Sequence, residues 1–266
     1  MLPTVFDQYA AEYDTEFTDS AIGKAQRRQV WEALAPYLDR SPEILEVNCG
    51  TGEDAIRLAQ TGSRVLATDI APEMIRVAES KKARSGATNP EFLQSGFLDL
   101  PNRIQGRRFD LIFSDFGGLN CISPEDTRTV AGVFSRLLKP GGKLFLVYMS
   151  RHCLWENFYF RWKGNRQVAV RRHAGFAEAR VGKGKIGTWY YTPKELKALY
   201  DPEFSRLDLS PIGLCVPPSY LGGWFLKRPR WLKMLELADK FLHFSALADY
   251  ADHFVITFEK KPETIG

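Results

Sequence analysis

Between residues 44 and 149, short runs of apolar residues alternate with longer amphipathic runs, and this alternation constrains the fold more than any other feature. It predicts strands over 44–47, 64–69, 91–94, 109–114 and 143–149, with helices over 53–60, 72–84 and 124–138. Strands joined through helical segments of this length imply right-handed βαβ crossovers, so the core is expected to be a doubly wound, mostly parallel α/β sheet. The alternation breaks after Met149 and resumes with a helix over 193–200 and strands over 204–213 and 253–259. The intervening segments hold a hairpin at the Gly-Lys-Gly-Lys of 182–185 and an amphipathic helix from Trp231 to Phe244. The expected organisation is therefore a helical N-terminal lid (1–42), a core (43–150), a cap insertion (151–191), core continued (192–215), a second cap insertion (216–251) and a final strand and tail (252–266), all in one compact domain.

The first strand runs into Asn48-Cys49-Gly50-Thr51-Gly52-Glu53-Asp54-Ala55, a small-residue turn opening a helix. Backbone amides approach a ligand only where side chains are absent, and a helix N-terminus favours negative charge. Gly50 to Ala55 fits G-x-G-x-x-G/A and Asp69 closes the next strand, so a dinucleotide site competes with other cofactor sites and with a plain tight turn.

A hydrophobic fraction of 44% with 13% aromatics supports a real core. Cys49, Cys121, Cys153 and Cys215 are widely spaced and form no C-x-x-C pair, which points away from a disulfide framework or a zinc site. With no apolar run near the roughly 20 residues a spanning helix needs, a cytoplasmic location is expected. Charge is uneven: between Arg161 and Lys185 eight Lys/Arg face one acid, Glu178. One short basic segment without a recognised RNA or DNA module does not suggest a nucleic-acid partner.

Glu46 before the turn, the glycines within it, Asp69 after strand two, the Leu138-Lys139-Pro140-Gly141-Gly142-Lys143 phrase before strand five and helices ahead of strand one occur together. This combination resembles the class I S-adenosylmethionine-dependent methyltransferases, of the type acting on small molecules or lipids. The resemblance covers roughly Tyr9 to Met149 and the closing strands, but neither insertion. It implies a Rossmann-like seven-stranded mixed sheet with an antiparallel last strand, S-adenosylmethionine as cofactor and S-adenosylhomocysteine as product. Carried over by position, Glu46 organises the turn, Gly50 and Gly52 lie against the methionine part, and Asp69 accepts both ribose hydroxyls, for which a carboxylate has enough lone pairs. Asn48 stands where the family has its first glycine, and Asn is among the residues that tolerate positive φ. Gly96 aligns with the family's adenine-binding acid, leaving Phe97 and Leu98 to offer backbone groups and an apolar wall. Ile70, Met74, Ser114 and Asp115 complete the expected cofactor set, and Tyr13 reaches it from a lid helix carrying Tyr9 and Phe17.

Ligands of open parallel sheets bind at the carboxyl ends of strands, so Phe116 and Asn120 are expected at the acceptor, with Tyr148 and Trp155 beside them. A sulfonium methyl is already activated, so a base is needed only if the acceptor must lose a proton; His152, just beyond strand five, is the candidate. Aromatics and arginines of the insertions (Arg161, Arg166, Arg171, Arg172, Arg180) suggest a small or lipid-like, anionic acceptor, and the helix from Trp231 also fits peripheral membrane contact. No metal site is expected. The competing readings are a NAD(P)-dependent oxidoreductase built on the same turn and a non-catalytic S-adenosylmethionine-binding protein.

Overall fold

In a computed structural model, residues 4–182 and 184–262 are described. The chain opens with α1 (Val5–Tyr13), a π-helical turn (Asp14–Thr18) and α2 (Ala21–Leu34). The core then runs β1 (Glu43–Val47), α3 (Glu53–Gln60), β2 (Arg64–Asp69), α4 (Pro72–Ser85), β3 (Glu91–Gln94), α5 (Leu100–Arg103), β4 (Phe109–Ser114), α6 (Pro124–Leu137) and β5 (Leu138–Met149). The first insertion holds α7 (Leu154–Trp162), α8 (Arg166–Ala169) and the hairpin β6 (Phe176–Val181) and β7 (Gly184–Trp189). After α9 (Pro193–Tyr200) and β8 (Phe204–Ile212), the second insertion contributes α10 (Gly222–Leu226) and α11 (Pro229–Phe241), and β9 (His253–Lys260) completes the sheet.

The main sheet has the order β3-β2-β1-β4-β5-β9-β8. Strands β1 to β5 pair in parallel, and β9 enters antiparallel between β5 and β8. The seven-stranded mixed sheet with an antiparallel last strand is thus present. Successive strand residues face opposite layers. Leu45, Ile112, Leu144 and Ile256 pack with Phe134 of α6 and Leu196 of α9, whereas Ile44, Leu111, Phe145 and Val255 pack with Val30 of α2 and Leu58 of α3.

Local chemistry sets the helix starts. Thr4 with Asp7 and Thr192 with Glu195 form capping boxes, Ser20 and Ser123 cap α2 and α6, and Pro72, Pro124 and Pro193 occupy first-turn positions where a missing N–H costs nothing. Two element boundaries differ from expectation. β5 starts at Leu138 rather than 143, because Leu138 already pairs with Phe109 before the Gly-Gly segment shifts the register. The last long helix is Pro229–Phe241, and its buried side is Leu232, Leu235 and Asp239; Trp231 faces outward. All four cysteines are free. No helix among the described residues is long and apolar enough to cross a membrane.

Candidate cofactor and acceptor site

Strand order reverses between β1 and β4, so a crevice opens beyond their carboxyl ends. Asn48 bridges that crevice: its amide donates to the Asp115 carbonyl at 2.8 Å and accepts from the Ser114 hydroxyl at 2.7 Å. It sits at φ +50°, and a Cβ at Gly118 would come within 2.4 Å of its side chain. Asn at this point therefore supplies both the left-handed backbone and a clamp between the two strands.

The two glycines of the turn do different work. At Gly50 (φ +52°) a Cβ would find nothing nearer than the Tyr13 ring at 3.8 Å, so this stretch of backbone is open to a ligand. At Gly52 (φ +75°) a Cβ would strike Phe92 at 2.7 Å and Ala78 at 2.8 Å. The expectation that both glycines lie against the cofactor is corrected here: Gly52 lets the turn and α3 pack on β3 and α4, and Gly50 forms the cradle.

Gly50, Asn48 and Asp69 lead into a cavity of about 300 Å³ whose other walls include Tyr13, Ile70, Met74, Gly96 and Phe97. The Asp69 carboxylate accepts from the Gly50 and Ala71 amides, both at 2.9 Å, which fixes it at the rim with a lone pair on each oxygen still available. Burial raises its pKa, and those amide bonds oppose the rise. The rest of the lining is largely apolar: Phe6 from α1, which packs in one cluster with Met74, and Phe116, Cys121, Ile122 and Ile186. Ile186 belongs to β7, so the first insertion does reach the cavity, whereas Leu98 is exposed and lies outside it.

On the other side of Tyr13, Gly50 and Phe116 lies a small polar compartment holding Arg27, Glu46, Asp54 and Asp115. Arg27 lies 3.4 Å from Asp54, which also accepts from the Trp31 indole at 2.8 Å. Glu46 Oε2, Asp115 Oδ2, Thr18 Oγ1 and Arg27 Nε and Nη1 are buried without a hydrogen-bond partner. Burial, then the neighbouring carboxylates, pushes the Glu46 and Asp115 pKa values well above the usual carboxylate range. The rings of Tyr13, Phe17 and Phe116 stack edge-on or tilted over this compartment, and Arg27 lies 5.5 Å from the Phe116 centroid. The lid is latched by Asp14, which accepts from Thr51 at 2.6 Å and pairs with Lys81 at 2.7 Å.

Four sequence-derived acceptor and catalytic residues fall elsewhere. Tyr148 is fully buried in the core and shares a hydrogen bond with Tyr200 at 2.9 Å, because the strand phase turns it away from the crevice. Asn120 is equally buried and spends its amide on the Trp189 carbonyl and the Met149 amide. Trp155 donates to the Cys215 carbonyl, joining the first insertion to the segment just after β8. His152 pairs with Asp249 at 2.8 Å and meets the His173 ring edge to face, outside the cavity. Arg171 and Arg172 are engaged by Glu156, and Arg172 also by Asp252. Arg27, Phe6, Ile122 and Ile186 were not indicated by the sequence. Each comes from a segment remote from the turn, and a lone cation in an amphipathic helix reads as surface.

A larger hollow of about 510 Å³ near the starts of β3 and β4, lined by Glu91, Arg103 and Arg107 among others, has no such set of convergent groups.

Residues 44–142 match the methyltransferase domain family. This match to the core of the chain agrees with the resemblance to the class I S-adenosylmethionine-dependent methyltransferases drawn from the glycine turn, Asp69 and the Leu138–Lys143 phrase. Among its relatives, a demethylmenaquinone methyltransferase from Clavibacter sepedonicus is 30% identical over 148 residues, covering 55% of this chain and 57% of that protein. A tRNA 5-carboxymethoxyuridine methyltransferase from Escherichia coli K12 is 25% identical over 154 residues, covering 56% of this chain and 58% of that protein. The chain thus spans little more than half the length of these curated relatives. A crystal structure of a methyltransferase from Methanosarcina mazei shares the fold with a TM-score of 0.59 at 22% identity, over 87% of this chain and 98% of that one.

Proposed function

We propose that this protein transfers the methyl group of S-adenosylmethionine to a small, lipid-like acceptor. The observation that carries the reading is the division of one cleft into a polar compartment and an apolar chamber that meet at Gly50, Tyr13 and Phe116. The unpartnered groups of the compartment fit a zwitterionic amino-acid tail: Arg27 offers donors to a carboxylate, and Glu46 and Asp115 offer acceptors to an ammonium. In this reading Asp69 takes the ribose hydroxyls, and Ile70, Met74, Gly96 and Phe97 enclose the adenine.

The bound cofactor supplies an electrophilic methyl group. What the chain must add is alignment and exclusion of water. Phe6, Ile122 and Ile186 bring apolar surface from three separate segments, and the Asp14 latch holds the lid helix beside them. An apolar chamber of this kind favours a lipid-like acceptor. An anionic acceptor draws no support from Arg171 and Arg172, whose charges are already matched by Glu156 and Asp252.

A nicotinamide dinucleotide fits the same turn poorly. Its pyrophosphate would lie beside Glu46, Asp54 and Asp115 with Arg27 as the single cation among them, so two phosphate charges would be buried against three acidic side chains. Calorimetric titration with S-adenosylmethionine, S-adenosylhomocysteine and NADH is expected to show binding of the sulfur compounds alone; NADH binding without them would overturn the proposal. Asp69→Ala is expected to weaken S-adenosylmethionine by about 3 kcal/mol, the loss of two charge-assisted hydrogen bonds. Labelled methyl donor added to cell extract should deliver label to the lipid fraction; label in the RNA fraction alone would transfer the assignment to nucleic acid.

A further inference from the structure

The second insertion presents a helix turned inside out. The inward side of α11, Leu232 and Leu235, packs with Phe225 and Val216 onto Ile22 and Ala25 of α2, and this small core is complete. The opposite side of α11 carries Trp231, Met234, Leu237 and Phe241, which are 57%, 60%, 56% and 73% exposed. At 100° per residue these four fall within one arc of the helix, so they form a stripe and not scattered exceptions. Scattered exposed apolar residues need no explanation, but a continuous stripe does.

The neighbouring elements repeat the pattern. On α7, Leu154, Phe158 and Trp162 recur every fourth residue, and Phe158 and Trp162 are 70% and 74% exposed. Tyr220, ahead of α10, stacks on Tyr159 and Phe160 and so ties α7 to the second insertion. Cations border both stripes. Arg230 and Lys233 flank the α11 stripe, Lys163 lies 5.5 Å from the Trp162 ring, and Arg228 lies 4.2 Å from Trp224. The acids within these helices do not offset them: Glu156 and Asp239 are buried, and Glu236 is paired with Arg28.

We infer that the face formed by α7, α10 and α11 docks on the surface of a membrane containing anionic lipid. Aromatic and aliphatic side chains ringed by Lys and Arg match the headgroup boundary, where rings enter the apolar layer and cations meet phosphate. Charge also selects against a second copy of this chain. A two-fold dimer would set the patch against itself and bring its cations together. The docking rests on this surface alone; its use, to draw a lipid-like acceptor from the membrane, rests on the function proposed above.

The test uses the full chain and extruded vesicles of phosphatidylcholine, with or without phosphatidylglycerol, in a sedimentation assay free of methyl donor and acceptor. The protein is expected to pellet with the anionic vesicles, to stay in solution with the neutral ones, and to be released as salt rises. Arg230→Gln with Lys233→Gln should lower anionic partition by about 25-fold, each charge being worth about fivefold. Met234→Ser with Phe241→Ser should abolish it while leaving unfolding temperature and S-adenosylmethionine binding unchanged, since both residues are exposed and remote from the cleft. No pelleting, equal pelleting with both vesicles, or a dimer on gel filtration that these same substitutions dissolve would overturn the inference. Because the readout contains no methylation, its failure is distinct from failure of the proposed reaction.

Discussion

Arg27 and Arg172 are both buried arginines among carboxylates, yet they are built to opposite specifications. Arg172 is saturated: it donates to Glu156 at 3.0 Å, to the Asp252 carboxylate at 2.9 Å and to the Asp252 carbonyl at 3.1 Å. With Arg171 it balances Glu156 and Asp252, and His253 and Arg172 hold Asp252 below the usual carboxylate range although burial pushes the other way. Around Arg27 one cation faces Glu46, Asp54 and Asp115, and both the guanidinium and two of the carboxylates keep buried atoms without partners. A native core leaves few such groups. The satisfied cluster ties the first insertion to the residue before β9; the unsatisfied one is where the function proposed above sets the amino-acid tail of the cofactor.

The largest test of this contrast is stability. Arg172→Met should destabilise the protein by about 3–5 kcal/mol, because Glu156 and Asp252 are left buried and unpaired. Chemical denaturation at neutral pH measures it. The same substitution at Arg27 should cost less stability and more binding, lowering S-adenosylmethionine affinity by about 2 kcal/mol, or about thirtyfold. Equal stability losses with unchanged affinity would mean that Arg27 is scaffold too.

The two glycines sharpen the comparison at smaller amplitude. Gly52→Ala forces a Cβ into Phe92 and Ala78 as well as adding left-handed strain, a combined cost of about 2 kcal/mol in folding. Gly50→Ala adds the strain without the collision, so its main effect should be on ligand affinity. Thermal unfolding and calorimetry on the two variants separate packing from recognition, and identical behaviour would dissolve the distinction.

Protonation gives a further handle. Glu46 and Asp115 are raised well above the usual carboxylate range, so the ligand-free protein retains protons there that the unfolded chain would have lost. An ammonium placed beside them favours the ionised forms. Binding should therefore release protons, and affinity should rise with pH from the usual carboxylate range up to the raised values, by up to about tenfold per unit per proton. The scaffold cluster has the reverse sign: Asp252, held low, contributes stability that is present above its ordinary pKa and fades as pH falls below it. Titrations in buffers of different ionisation enthalpy detect the release; a flat affinity profile would remove Glu46 and Asp115 from the tail site.

How much of this was legible in the sequence follows from how local each feature is. β2, β3 and β4 run Arg64–Asp69, Glu91–Gln94 and Phe109–Ser114 as the alternation predicts, because periodicity and caps act within a few residues. The turn and Asp69 were legible for the same reason. Arg27 was not, since the carboxylates around it come from β1, α3 and the end of β4, well beyond its own helix, and neither was the Glu156–Arg172–Asp252 cluster, which spans the first insertion and the approach to β9. Tyr148 was misread because one residue of strand phase decides between crevice and core. On α11 the amphipathic period was legible but not which residues it exposes: Leu235, on the apolar side, packs inward with Leu232, while Trp231 faces out.

His152 gives the smallest expected effect. It carries the features of a general base, an imidazole hydrogen-bonded to a carboxylate at 2.8 Å, but it stands outside both compartments of the cleft. A base must come within hydrogen-bond reach of the proton it removes, directly or through one water. In this structure its ring is committed to Asp249, His173 and Tyr250 in the first insertion and the segment before β9. His152→Gln should therefore leave methyl transfer within about twofold of the parent and leave the shape of its pH profile intact, because no proton-transfer step passes through it. A loss of about a hundredfold or more, with S-adenosylmethionine affinity preserved and a neutral-pH limb missing from the profile, would restore His152 as the base and require the first insertion to close over the cleft during turnover.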